Sequence, residues 1–260
     1  MIRKSLTMKY YEQLLKIGCF SREVLTNLTG NYNTSGSLLK SYLKKGYVFR
    51  IKRNLYVAVN LADHQPVVSK YHIAGSINKS AYVSHHSAFE YYGCANQVSY
   101  QVDVSSEIPF SSFEFDGNTY AYIASRIEKG VANRSDGARV TDIERTVLDG
   151  INDFEKIAGL EELLRCIDLI PSLREDVLLY YLTSYDKQFL YQKTGYILQH
   201  FKIMFNLSEA FFNECSAHIG RSTRYLIQGI EGRYNREWRL VTPIDLHSIT
   251  DKGVNTDAEI

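Results

Sequence analysis

The chain has 260 residues, with 30 Lys+Arg against 29 Asp+Glu, 45% hydrophobic and 23% charged residues. That is the composition of a soluble globular protein, long enough for one large domain or two ordinary ones. No apolar run approaches the ~20 residues of a membrane span, and the longest useful one, Val177–Leu182, suits a helix core. The start, Met1-Ile-Arg-Lys-Ser5, is basic but has no apolar stretch behind it, which is not the pattern of a signal peptide. Cys19, Cys94, Cys166 and Cys215 lie far apart with no C-x-x-C pair. This speaks against a zinc ribbon or redox motif and fits buried thiols in a reducing cytoplasm.

Charge is divided along the chain. Residues 1–60 hold 11 Lys+Arg and 2 Asp+Glu, a net of +9, so residues 61–260 hold 19 and 27, a net of −8. Net charge sets partners rather than fold, and a basic head suits a polyanion.

In chain order, Leu6, Tyr10, Leu14 and Ile17 recur at helical spacing over residues 5–17, and Gly18 closes that helix. Ser21 caps a second helix that turns Val24, Leu25 and Leu28 inward. A third runs from Thr34 to Lys45, with Asn33 or Thr34 as its cap and Gly46 at its left-handed end. Leu38, Leu39, Tyr42 and Leu43 fall on its inner face, and Ser37, Lys40, Ser41 and Lys44 on the other. Strands Tyr47–Ile51 and Leu55–Val59 flank a basic turn, Lys52-Arg53-Asn54, where Asn tolerates positive φ. A helix with a polar, basic outer face followed by a basic hairpin is the pattern of a winged helix-turn-helix. The residues expected at double-stranded DNA are Asn33, Thr34, Ser37, Lys40, Ser41 and Lys44 on the helix, and Arg50, Lys52 and Arg53 on the wing. Asn33 and Thr34 would also offer free N–H groups there.

Leu61–Pro66 reads as a linker. Beyond it the pattern predicts a helix over Val68–Ile77, a short strand at Ala81–Val83 and a helix from His85 to Tyr92 capped by Ser84. His85 and His86 are adjacent and point apart, without the i, i+4 geometry of a metal pair, so they are expected to be structural. Val98–Val104 alternates as a half-buried strand, and Asp116-Gly117-Asn118 marks a hairpin between Phe113–Phe115 and Thr119–Ile123. A small antiparallel sheet follows from this, with Asp103 and Glu114 facing solvent.

From Thr141 the chain turns helical. Thr141-Asp-Ile-Glu144 and Ser172-Leu-Arg-Glu175 read as capping boxes, opening helices over Asp142–Ile151 and through Leu182. Leu160, Leu163, Leu164 and Ile167 mark another helix, stopped at Pro171. Asp186–Phe205 reads as one long helix, with Met204 among its packing residues, and Ser208 caps a last short one. Arg224–Ile227 and Trp238–Val241 look like closing strands, and 248–260 a flexible tail. There is no G-x-S-x-G, no P-loop and no Gly-rich phosphate loop, hence no expected catalytic residue, cofactor or metal site. Glu144, Arg145 and Asp149 share one helix and are expected to form a buried ion-pair network or an antitoxin surface.

Five segments together resemble the AbiEi family of antitoxins and winged-helix regulators. They are Ile51-Lys-Arg-Asn-Leu-Tyr-Val57, Tyr82-Val-Ser-His-His-Ser-Ala-Phe-Glu-Tyr-Tyr-Gly93, Val140-Thr-Asp-Ile-Glu-Arg-Thr-Val-Leu-Asp149, Gly195-Tyr-Ile-Leu-Gln-His200 and Asn235-Arg-Glu-Trp-Arg-Leu240. They stand in the family's order across most of residues 5–241. Asn54 stands where the family's wing has Gly, and Ile143 where Pro is common. The resemblance implies an α+β protein with a winged-helix domain over 1–60, a linker over 61–66 and an antitoxin domain over 67–247. It implies repression of its own operon through operator inverted repeats, and antagonism of a nucleotidyltransferase-like toxin in an abortive-infection, phage-defence system. It further implies no stable complex with that toxin, no enzyme activity, no membrane partner and a cytoplasmic location. Read from the residues alone, two alternatives stay open: a winged-helix regulator whose acidic body senses a ligand or partner, and a nucleic-acid enzyme targeted by its winged helix.

Overall fold

A computed structural model describes residues 6–229, 232–243 and 246. The tail expected at 248–260 lies outside these. The protein is mixed α+β, and the described residues fall into two compact units. The first takes in Met1–Val83, Tyr100–Ala124 and Ala132–Val140; the second takes in Ser84–Ser99, Ser125–Val131 and Thr141–Ile260.

The first unit begins with α1 (Leu6–Ile17), β1 (Cys19–Phe20), α2 (Arg22–Thr29), α3 (Tyr32–Lys45), β2 (Val48–Lys52) and β3 (Leu55–Ala58). The order β1-β3-β2 is antiparallel throughout. Ser21 caps α2, and Gly30 ends it at φ 67°, as its place in the sequence requires. The cap of α3 differs from expectation. Asn31 is the N-cap, and its side-chain oxygen accepts from the N–H groups of Asn33 at 2.9 Å and Thr34 at 3.0 Å. The helix therefore starts two residues early, and those two N–H groups are already used.

The rotation of α3 is set by its buried residues Ser35, Leu39 and Tyr42. Leu43, expected inside, is 38% exposed. At about 100° per residue it lies roughly 100° round from Tyr42, which puts it at the edge of the buried face. Tyr11, Tyr42 and Tyr47 pack ring against ring between α1, α3 and the hairpin. The expected linker is folded back on itself. Asn60 N donates to Gln65 O at 2.8 Å, Val59 bridges Pro66, and Val67 N donates to Ala58 O at 3.1 Å.

The same unit continues with α4 (Lys70–Gly75), β4 (Tyr82–Val83), β5 (Gln101–Ser106), β6 (Phe113–Phe115), β7 (Asn118–Ala124), β8 (Val131–Asn133) and β9 (Arg139–Thr141). The end residues Val131 and Thr141 belong to the second unit. The sheet is larger than expected and mixed, in the order β6-β7-β5-β4-β9-β8. The β6–β7 hairpin and the β4–β5 pair are antiparallel, but β5–β7 and β4–β9 are parallel. Parallel central strands are covered on both faces. Accordingly β5 is buried from Val102 to Ser106, and Asp103, expected in solvent, is 2% exposed and accepts from Gln101 Nε2 at 2.8 Å. Glu114 is exposed, as expected.

The second unit holds α5 (His85–Tyr91), α6 (Ile143–Asn152), a short 3₁₀ turn, α7 (Leu160–Asp168), α8 (Glu175–Tyr185), α9 (Gln188–His200), α10 (Lys202–Phe205) and α11 (Glu209–Ala217). Strands β10 (Arg224–Tyr225), β11 (Arg233–Asn235) and β12 (Leu240–Thr242) pair in the order β10-β12-β11. The long helix expected over 186–205 breaks at Phe201, and Met204 beyond the break is 46% exposed. None of the described helices is long and apolar enough to cross a membrane.

Two of the segments that carried the family resemblance meet here. Trp238 is fully buried, and its indole N–H donates to Gln199 Oε1 at 2.7 Å. Its ring lies against Gly195, where an added Cβ would come within 2.0 Å of it. Gly195→Ala is therefore expected to destabilise the second unit by at least about 2 kcal/mol through overpacking, read by melting followed through the fluorescence of the single tryptophan. In the first unit, Leu39→Ala should cost about 2–5 kcal/mol as a buried truncation. Leu43→Ala should cost within about 0.5 kcal/mol as a surface change. Equal losses in urea titrations followed by circular dichroism would mean α3 is rotated from this position.

Candidate functional site

The helix α3 and the β2–β3 hairpin put most of the expected DNA residues in solvent. Asn33, Thr34, Ser37, Lys40 and Lys44 are exposed on one side of the helix, and Ser41 is half-buried. Arg50 and Arg53 are exposed on the hairpin. Lys52 is placed differently. It is half-buried, and its ammonium lies 5.1 Å from the Phe110 ring centroid and 5.3 Å from that of Phe113, with burial lowering its pKa. A cation turned onto aromatic faces gains cation–π attraction and is not held out from the wing as expected.

Asn54 takes the positive φ foreseen for it, 60°, and its Oδ1 also accepts from Arg22 N at 3.1 Å. This bond ties the hairpin tip to the first turn of α2. Arg22 stacks its guanidinium 3.9 Å above the centroid of Tyr32, which is 62% exposed at the start of α3. Sequence reading passed over Arg22 and Tyr32. The signal available for them was a basic residue in the first turn of α2 and an aromatic beside the cap of α3.

In the second unit Glu144, Arg145 and Asp149 are all buried, at 3%, 1% and 3% exposure. They do not form one network. Arg145 Nε bonds both Asp149 oxygens at 3.1 Å and Tyr185 Oη at 2.8 Å, and its Nη1 donates to the carbonyls of Ile127 and Lys129. The Tyr185 hydroxyl donates to Asp149 in turn. Glu144 points away and accepts from Arg174 N at 3.1 Å and Nε at 3.0 Å. Adjacent residues on a helix are about 100° apart, so Glu144 and Arg145 leave the helix on different sides and take different hydrogen-bond partners.

Both expected capping boxes are replaced. Asp142, not Thr141, caps α6, with its Oδ1 accepting from Arg145 N at 2.9 Å, while Thr141 Oγ1 bonds Thr146 Oγ1 at 2.8 Å. Burial raises the Asp142 pKa, against the hydrogen bond from Tyr181 that lowers it. Glu175 opens α8 without a reciprocal cap and accepts instead from Ser208 N at 2.8 Å and Oγ at 2.9 Å.

His86, Glu162 and Cys166 are the one trio among the described residues whose donor atoms could hold a metal ion, all lying within 4.8 Å of one another. Their donor set of N, O and S is of the type zinc takes. Glu162 Oε1 lies 3.2 Å from His86 Nε2 and receives the Cys166 S–H at 3.5 Å. Burial, then the charge of Glu162, pushes the Cys166 thiol up to about 12. Adjacency with His85 hid this trio, because the partners of His86 lie 76 and 80 residues on.

Asp149→Ala would leave the Arg145 guanidinium buried without its carboxylate. A loss of about 3–5 kcal/mol is expected, against a smaller one for Arg174→Ala, because the backbone N–H of residue 174 still donates to the buried Glu144 carboxylate. Chemical denaturation of the two variants beside the parent checks the ordering.

No family model matches the chain, and no curated protein matches it. Among solved structures, the chain is similar to the crystal structure of the RV2827C protein from Mycobacterium tuberculosis, with a TM-score of 0.60 at 12% identity, over 96% of this chain and 95% of that one. At that identity the likeness bears on the fold alone.

Proposed function

We propose that residues 6–59 form a winged helix-turn-helix that binds double-stranded DNA, and that the protein is an autorepressor and antitoxin of the AbiEi kind. The observation that carries the DNA reading is the outward face of α3. It presents Asn33, Thr34, Ser37, Lys40 and Lys44 to solvent beside a hairpin bearing Arg50 and Arg53. Three packed helices with the third open on one side, followed by an antiparallel hairpin, match the geometry in which a helix enters the major groove and a wing reaches the backbone. The net +9 of residues 1–60 suits phosphate, where each neutralised charge releases counterions. The antitoxin part rests on the five ordered segments of the resemblance. Repression of its own operon, a nucleotidyltransferase-like toxin as target, and a cytoplasmic location follow from that reading.

The test uses the full chain. Fluorescence anisotropy on duplex DNA from the chain's own promoter region should give binding that weakens steeply with salt. Lys40→Ala with Lys44→Ala should lower affinity on all duplexes and reduce the logarithmic salt slope by about two, one per phosphate contact. Lys52→Ala should change the slope less than Arg53→Ala, because Lys52 is turned onto Phe110 and Phe113. A slope unmoved by the Lys40 and Lys44 changes sinks the α3 assignment. Co-expression with the neighbouring gene product, scored for growth, tests the antitoxin reading separately: rescue should persist in the Lys40/Lys44 double variant.

A further inference from the structure

The second unit buries a cation that the DNA reading does not use. Lys193, in the middle of α9, is 5% exposed. Its ammonium donates to the carbonyl of Asn152, the last residue of α6, and lies 5.1 Å from the ring centroids of both Phe154 and Phe189. An ammonium carries three N–H donors, and the Asn152 carbonyl is the one oxygen acceptor it has among the described residues, the two rings taking the rest of its surroundings. Desolvation lowers the Lys193 pKa to about 8. The bond to Asn152 ties α9 to the end of α6, but it needs only one of the three protons.

Lys193 lines a cavity of about 240 Å³ together with Asn152, Asp153, Lys156 and Tyr225. A second cavity of about 220 Å³ shares Phe189, Tyr225 and Gln228 with it and adds Ser222, Thr223 and Arg224. The carboxylate of Asp153 in the first is already met by cations. Asp153 is approached by Lys156 at 3.5 Å, and by Arg126 and His85 at 4.0 Å each. Lys187 and Lys193 also act on this carboxylate, and the other acid lining the cavity, Glu155, is exposed. Lys156 and Lys193 line the first cavity against Asp153 and Glu155, Arg224 of the second cavity adds a third cation, and Arg126 and Lys187 stand behind Asp153, so an added anion meets more positive than negative charge across the two.

The walls are also specific. Tyr225 is 50% exposed, while the Phe189 ring is already covered by Lys193 and by Arg224 at 5.3 Å. An open ring at the junction of two cavities, with cations on either side and Ser222, Thr223 and Gln228 as polar groups, fits a ligand with a flat heterocycle and a polyanion. We propose that this double cavity binds a nucleoside phosphate, its phosphates on Lys193, Lys156 and Arg224 and its base on Tyr225. This holds whether or not α3 binds DNA, since no residue is shared.

The experiment is calorimetric titration of the full chain with ATP and, separately, with tripolyphosphate, supported by thermal melting. ATP should bind and raise the melting temperature by mass action, with tripolyphosphate about tenfold weaker. Arg224→Ala and Tyr225→Ala, both at exposed positions, should each weaken ATP by about tenfold, the scale of one charge-assisted bond or one stacked base. Lys193→Met should do the same, with Lys193→Arg as the charge-retaining companion should the first fail to fold. Absence of ATP binding at millimolar concentration overturns the proposal. So does ATP affinity unchanged in both Arg224→Ala and Tyr225→Ala, or tripolyphosphate binding as tightly as ATP.

Discussion

A guanidinium cannot shed its proton, so an arginine at 1% exposure must be met by acceptors wherever it points. Arg145 imposes that condition on the second unit. Its Nε takes the Asp149 carboxylate one turn along α6, and its Nη1 takes the carbonyls of Ile127 and Lys129. The loop carrying those carbonyls must approach closely. Gly130 lets it do so: at φ +78°, a Cβ there would stand 2.9 Å from the Arg145 Cβ and 2.8 Å from the Tyr181 ring. Tyr185 closes the arrangement from α8. One charged side chain thereby fixes a loop, the face of α6 and the placement of α8. It also leaves Glu144 free to hold Arg174 on a different side of the helix.

The first unit uses little buried charge. Its core is aromatic and aliphatic, around Tyr11, Leu14, Leu25, Leu39, Tyr42 and Val48. Its helix–helix register comes from small groups. Ser35 is buried and bonds Thr26 Oγ1 at 2.8 Å, and Gly36 leaves room for the Arg22 guanidinium, which a Cβ would meet at 2.7 Å. Those contacts settle which way α3 is turned. The outward position of Lys40 and Lys44 is thus a result of packing, and electrostatics then acts on a surface already fixed.

The periodic part of the fold was legible in the residues. Caps such as Ser21 and Ser208, the left-handed Gly46 and the Asp116-Gly117 hairpin are local and read correctly, whereas Ser84 makes no side-chain cap bond and Asp142 takes the cap expected of Thr141. Pairing at long range failed as well. Glu144 and Glu175 sit at capping-box spacing, yet each carboxylate is taken by a partner 30 or more residues away, Arg174 and Ser208. The parallel pairing of β5 with β7 buries Asp103 although its own strand alternates like a half-exposed one. At the candidate interface, the outer face of α3 followed from helical spacing. The Asn31 cap and the inward turn of Lys52 did not, because the first competes with two equally good neighbours and the second depends on Phe110 and Phe113 far along the chain.

Two buried cations in the second unit separate what burial is for. Arg145 is bonded through Nε and Nη1 to a carboxylate, a hydroxyl and two carbonyls, and the residues around it are shaped to that end. Lys193 has one carbonyl, two aromatic faces and open cavity. A hydrophobic residue of similar length at 193 would fill the same space between Phe154 and Phe189 without the desolvation cost of an ammonium. A fold that satisfies Arg145 so thoroughly has the means to satisfy a lysine. Leaving Lys193 with a single oxygen acceptor, at a cavity whose neighbour adds Arg224, is the arrangement expected of a site completed by an anion from solution.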